Sequence, residues 1–106
     1  MGGKKAIYIT FDDGPHPDNT PEILTILDKM SIKATFFMTG IEMEKHIDIV
    51  KDIINKGHQL GYHSYTHTSM KKQNFLDFSK EMKKIDDICR LINYKIRLYR
   101  PPYGDL

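Results

Sequence analysis

The apolar residues of this chain come in short runs whose period changes along its length. "KKAIYIT" is a β-rich run closed by Gly14, Pro15 and Pro17, the punctuation of a strand giving way to a loop. In "NTPEILTILDKM" the period lengthens: Ile23, Leu27 and Met30 recur at helical spacing, with Thr20 placed as the N-cap and Pro21 at the first helical position. "KATFFMTG" returns to strand. "IEMEKHIDIVKDIINKG" then predicts one helix with Met43, Ile47, Val50 and Ile54 on one face and Gly57 as its stop. "HQLGYH" is a third short strand. A further helix spans about Asn74 to Ile92, with Phe75, Phe78, Met82, Ile85, Cys89 and Ile92 in one apolar stripe. "KIRLYRPPYG" is a fourth strand that runs into prolines.

Three predicted helices alternating with four predicted strands argue for parallel βαβ units and an α/β class. In such folds ligands and reacting groups collect beyond the C-terminal ends of the strands. The chemically unusual stretches obey that rule: "FDDGPHP" follows the first strand, "HSYTH" the third and "RPPYGD" the fourth. Residues far apart in sequence are thereby expected at one end of one sheet.

Composition narrows the partners. The 106 residues suit at most one domain, and 16 basic against 14 acidic residues leave a net charge of +2, with lysines and arginines scattered along the chain. Nucleic acid is therefore not an expected partner. A single cysteine, Cys89, cannot form an internal disulfide and reads as a small core residue of its helical stripe. No apolar run is long enough to span a bilayer, and "MGGKKAIYIT" lacks the apolar segment of an export signal. Localisation stays open on this reading.

His63 and His67 stand four apart, a spacing that lets both imidazoles face one ion. Two histidines and a carboxylate, which Asp13 could supply, leave positions open on a divalent cation, as a catalytic metal site requires. The plainer alternative is a solvated histidine pair in a Ser/Thr/Tyr-rich loop. Asp12 and Asp13 likewise admit a plain reading, a polar turn ahead of Gly14. The competing reading separates their tasks: a cation neutralises one acid and leaves its neighbour to act as a base. Arg100 could hold that neighbour by bidentate hydrogen bonds, or could be a surface arginine. The rigid Pro-Pro-Tyr-Gly after it fixes backbone N–H groups where an oxyanion could bind. His46 and His58 read as surface residues, and His16 lies beside the acids between two prolines.

"TFDDGP", "HSYTH" and "RPPYG", in this order and joined by "ATFFMTG" and "GHQLGYH", resemble the first three motifs of the polysaccharide deacetylases, the NodB-homology domain or carbohydrate esterase family 4. The resemblance covers nearly the whole chain. It implies a distorted (β/α) barrel and a divalent metal, zinc in first place with cobalt or nickel as alternatives. It also implies removal of N-acetyl groups from a polysaccharide such as peptidoglycan or chitin. Residue by residue, it makes Asp12 the general base and Asp13, His63 and His67 the metal ligands; Arg100 would position Asp12, and the N–H of Tyr103 would bind the oxyanion.

The family pattern continues with an Asp-bearing motif and a late histidine that protonates the leaving group, neither of which matches residues 1–106. The expectation is thus a partial domain over 1–106, about four strands and three helices. The remaining half, or a second copy, would complete a barrel that needs about seven or eight strands. On this view metal binding outlasts catalysis in the chain alone. Two other readings remain: a truncated module that binds metal or glycan without hydrolysis, and an amidohydrolase acting on a small cyclic amide.

Overall fold

The computed structural model describes residues 9–63, 65 and 75–100, with the side chains of 75–78 excepted. The element order is β1 (Ile9–Asp12), α1 (Asn19–Met30), β2 (Ala34–Met38), α2 (Gly40–Lys45), α3 (Ile47–Asn55), β3 (Gln59–Tyr62), α4 (Phe75–Ile92) and β4 (Leu98–Tyr99). The four strands form one parallel sheet in the order β1-β2-β3-β4. Each parallel pair requires a crossover, and helices supply every one. The segment before Ile9 and the "PPYG" run lie outside the described residues.

Register decides what each face carries. Asp12 pairs with Phe37, Phe37 with Gly61 and Gly61 with Leu98. Because strand side chains alternate, Thr10, Asp12, Phe37 and Gly61 share one face. Ala34, Phe36, Met38, Leu60 and Tyr62 occupy the other, where they join Leu24, Leu27, Met43, Val50, Ile53, Ile85, Ile88 and Ile92 in a single buried cluster beneath the helices.

The helices use somewhat different faces from those the spacing predicts. In α1 the buried residues are Thr20, Leu24 and Leu27, whereas Met30 is 61% exposed. Apolar residues at 23, 24, 26, 27 and 30 support two overlapping stripes, and the one that includes Thr20 packs inward. Thr20 does not cap the helix: its hydroxyl accepts the His16 N–H at 2.9 Å, inside a helix that already begins at Asn19. In α4 the inward line is Ile85, Ile88 and Ile92, leaving Cys89 half-buried at its flank and Met82 partly exposed. The predicted second helix is two, broken at His46, whose non-helical backbone (φ −132°, ψ 52°) interrupts the helical path, and Val50 and Ile53 face inward in the second.

His58 corrects a second expectation. It is buried, only 4% exposed, and its Nδ1 accepts the Ala34 N–H at 3.0 Å, so it completes the start of β2 where β3 has not yet begun. Burial, reinforced by Lys33 and Lys56, pushes its pKa below the ordinary histidine value and keeps the ring neutral and able to accept. Gly57, just before it, stands at φ +88° and ends α3 in the left-handed conformation expected of a helix stop.

Candidate active site

The strands end together, and the residues singled out from sequence lie at or just after the ends of three of them. β1 runs into Asp13 and Gly14, which take φ +68° and +84° in succession. Aspartate tolerates this left-handed region better than most residues and glycine occupies it without strain. The effect is a sharp reversal at which Asp12 keeps the sheet's alternation while Asp13 leaves it. The Gly14 carbonyl accepts the Thr39 N–H at 3.3 Å, tying this turn to the end of β2.

His63, after β3, is fixed from both sides. Its N–H donates to the Met38 carbonyl at 2.9 Å, and its Nδ1 lies 2.6 Å from the Arg100 carbonyl oxygen. A carbonyl can only accept, so Nδ1 carries the proton of that bond. In the neutral ring the Nε2 lone pair then points outward from the carbonyl, and Nε2 stands 3.7 Å from Asp13 Oδ1. The His63 side chain is nearly buried while that of Asp13 is about half exposed, so the pair opens to solvent on one side.

Arg100, after β4, serves the site with both backbone and side chain. Its N–H donates to the Tyr62 carbonyl at 2.9 Å while its own carbonyl orients His63. The guanidinium lies over the Phe37 ring, 4.2 Å from its centre, and Nη1 donates to Asp12 Oδ1 at 2.7 Å and to Thr10 Oγ1 at 3.2 Å. The contact with Asp12 runs through one nitrogen rather than as the bidentate fork considered from sequence. Thr10 and Phe37 escaped the sequence reading, although period-2 alternation places Thr10 on the Asp12 face and a parallel register could have offered Phe37.

Tyr62 and Tyr65, on either side of His63, are bonded from α4. Glu81 Oε1 accepts the Tyr65 N–H at 2.7 Å and the Tyr62 hydroxyl at 3.1 Å. Burial, with the Glu81 carboxylate beside it, pushes the Tyr62 hydroxyl well above the ordinary tyrosine range, so it remains a donor. The Tyr65 carbonyl accepts the Ile41 N–H at 2.9 Å, its hydroxyl donates to Glu44, and Lys84 sits 4.2 Å over its ring. The hydrogen bond to Glu44 also raises the Tyr65 hydroxyl pKa. Close packing here depends on Gly40, where a Cβ would stand 2.6 Å from the Tyr65 ring.

The structure thus brings together four of the six residues singled out from sequence, Asp12, Asp13, His63 and Arg100. His67 and Tyr103 lie outside the described residues. Among the described residues no three metal-ligating side chains form a group. The pair that is described fits a divalent ion: ligand atoms at about 2.0–2.2 Å from one tetrahedral ion stand roughly 3.5 Å apart, close to the 3.7 Å between Nε2 and Oδ1. The Nδ1–H to carbonyl bond is the outer support that metal-bound histidines ordinarily have.

Comparison with known proteins identifies the family. The family model for polysaccharide deacetylases matches residues 1–106. A peptidoglycan-N-acetylglucosamine deacetylase of Bacillus cereus is 41% identical over 104 residues, which is 97% of this chain and 38% of that protein. The solved structure of the peptidoglycan deacetylase PdaC from Bacillus subtilis superposes with a TM-score of 0.92 at 33% identity, covering 98% of this chain and 52% of that one. The Bc1960 peptidoglycan N-acetylglucosamine deacetylase gives 0.88 at 41% identity, over 93% of this chain and 47% of its own. This chain therefore spans between 38% and 52% of the length of these three proteins.

Proposed function

Because this chain belongs to the polysaccharide deacetylase family, we propose that it carries the metal-binding and base-bearing part of an enzyme that hydrolyses N-acetyl groups on a polysaccharide, with peptidoglycan as the first candidate substrate. The observation that carries the reading is the division of two adjacent acids. Asp12 is bonded to the Arg100 guanidinium and Asp13 faces His63 Nε2. An ordinary polar turn has no need to send neighbouring carboxylates to different partners.

In this reading Asp13, His63 and His67 hold a divalent cation, zinc in first place with cobalt or nickel as alternatives. Bound there, the cation supplies an acidified water and a polarised acetyl carbonyl. Asp12 takes the proton of the attacking water, its carboxylate held in place by Arg100 at Oδ1. The Tyr103 N–H donates to the oxyanion as the carbonyl carbon becomes tetrahedral, a donor worth about 3 kcal/mol. Cleavage of the carbon–nitrogen bond then yields acetate and a sugar amine, the amine taking its proton from the late histidine of the family pattern, which matches no residue of 1–106, as Asp12 gives up the proton it took from water.

We read residues 1–106 as the N-terminal part of the deacetylase domain. Support comes from the superposition over about half of a solved relative and from β4, whose Leu98 and Tyr99 remain partly exposed at the end of the sheet beside an apolar cavity of about 250 Å³. The test uses the protein in its full reading frame, stripped of metal and reloaded with zinc. It is offered peptidoglycan, an N-acetylated chitooligosaccharide, acetylated xylan and a small cyclic amide. Acetate release from the N-acetylated glycans, abolished in Asp12→Asn, is expected. Ring opening of the cyclic amide alone, or metal binding with no hydrolysis of any substrate, would overturn the reading.

A further inference from the structure

One carboxylate oxygen on a distant helix straddles His63. Tyr62 precedes this histidine and Tyr65 follows it by two residues, and Glu81 Oε1 accepts a hydrogen bond from each, 3.1 Å from the Tyr62 hydroxyl and 2.7 Å from the Tyr65 N–H. Tyr65 also stands midway between His63 and His67 in sequence. Its carbonyl and hydroxyl are engaged by Ile41 and Glu44, and its ring is pinned between Gly40 and Lys84. The loop that departs from β3 is thus anchored from α4 at the point where it leaves the sheet.

We propose that Glu81 is a positioning residue of the metal site, which fixes Tyr62 and Tyr65 on either side of His63 and through them the aim of that imidazole. The inference rests on the reading that His63 holds the cation. Both groups bonded to Oε1 are donors, so the position requires an acceptor and not specifically a charge. Glutamine keeps an acceptor oxygen at the same reach. Methionine keeps the length and helix propensity of the side chain but offers only a weak sulfur acceptor, leaving the Tyr62 hydroxyl, 96% buried with its residue, and the Tyr65 N–H poorly matched.

The test compares Glu81→Met, Glu81→Gln and His63→Ala with the unmodified protein in its full reading frame, loaded with zinc or cobalt alone. Affinity is measured by chelator competition, and the visible spectrum of the cobalt form reports ligand number and geometry. Glu81→Met is expected to lose about 10- to 100-fold in affinity, as loss of an outer-shell support does, and to alter the cobalt spectrum; Glu81→Gln should stay within about threefold of the parent. Unchanged affinity and spectrum in Glu81→Met, with His63→Ala impaired, would overturn the role of Glu81, even if the melting temperature fell. Unchanged affinity in His63→Ala would instead overturn the underlying metal reading. Should Glu81→Met fail to fold, hydrogen exchange at the Tyr65 amide of the unmodified protein decides: protection supports the anchor, and exchange at the unprotected rate overturns it.

Discussion

Arg100 offers a perturbation that separates the two halves of the site, because its backbone serves one and its side chain the other. Arg100→Met removes the Nη1 bonds to Asp12 and Thr10 but keeps the N–H to Tyr62 and the carbonyl that orients His63. The ion pair is 40% exposed on each side, so its loss should change global stability by no more than about 1 kcal/mol. Its effect on reaction should be larger, since a hydrogen bond to a charged group contributes roughly 1.5–3 kcal/mol when the geometry must be held. That corresponds to a fall of about 10- to 150-fold in kcat/KM. Metal affinity should stay within about threefold, because ligand support runs through the backbone. Arg100→Lys should recover only part of the loss, as an ammonium cannot lie over Phe37 and reach Asp12 with the same planar geometry. Acetate-release kinetics and chelator competition on the same preparations give both numbers. A parallel fall in affinity and activity, or full activity in Arg100→Met, would refute the division of labour.

Packing at the two ends of the sheet sets further outcomes. His58 has a folded pKa below its unfolded value of about 6.5, so its contribution is complete above that pH and is lost as pH falls through the folded value. Denaturation midpoints should decline from pH 7 toward pH 5. His58→Ala should lose that part of the slope and about 1–3 kcal/mol through the abandoned Ala34 N–H. Gly61→Ala drives a Cβ into the Phe37 ring and should cost about 1–3 kcal/mol in thermal or chemical unfolding. Since Phe37 lies beneath the Arg100 guanidinium, the same variant should lower kcat as well, which activity measured well below the melting temperature would show.

The α/β class, the parallel sheet and the convergence of three loops could be read from period changes and from where the unusual residues fell. Helix faces were less legible. In α1 and α4 adjacent apolar residues allow two stripes a step apart, and only the position of the sheet chooses Leu24 over Met30 or Ile88 over Met82. The break at His46 left no mark, since nothing in "IEMEKHIDIV" forbids a continuous helix. His58 reads as a surface residue from sequence because its role depends on a β2 amide 24 residues away. Glu81 was invisible for the same reason: on a helix surface an acid that anchors a loop has the same pattern as one that faces water. The acids and histidines, by contrast, stand out in the sequence because adjacent carboxylates at a strand end and a His-x-x-x-His pair have no evident task as solvated side chains.

One paired measurement tests the separate tasks proposed for Asp12 and Asp13: zinc affinity and acetate release from peptidoglycan in Asp12→Asn and Asp13→Asn, side by side. Asp12→Asn should retain zinc affinity within about threefold yet lose activity by at least about 100-fold, the contribution of a general base. Asp13→Asn should lose both together. Equal losses of affinity in the two variants, or activity surviving in Asp12→Asn, would contradict that separation.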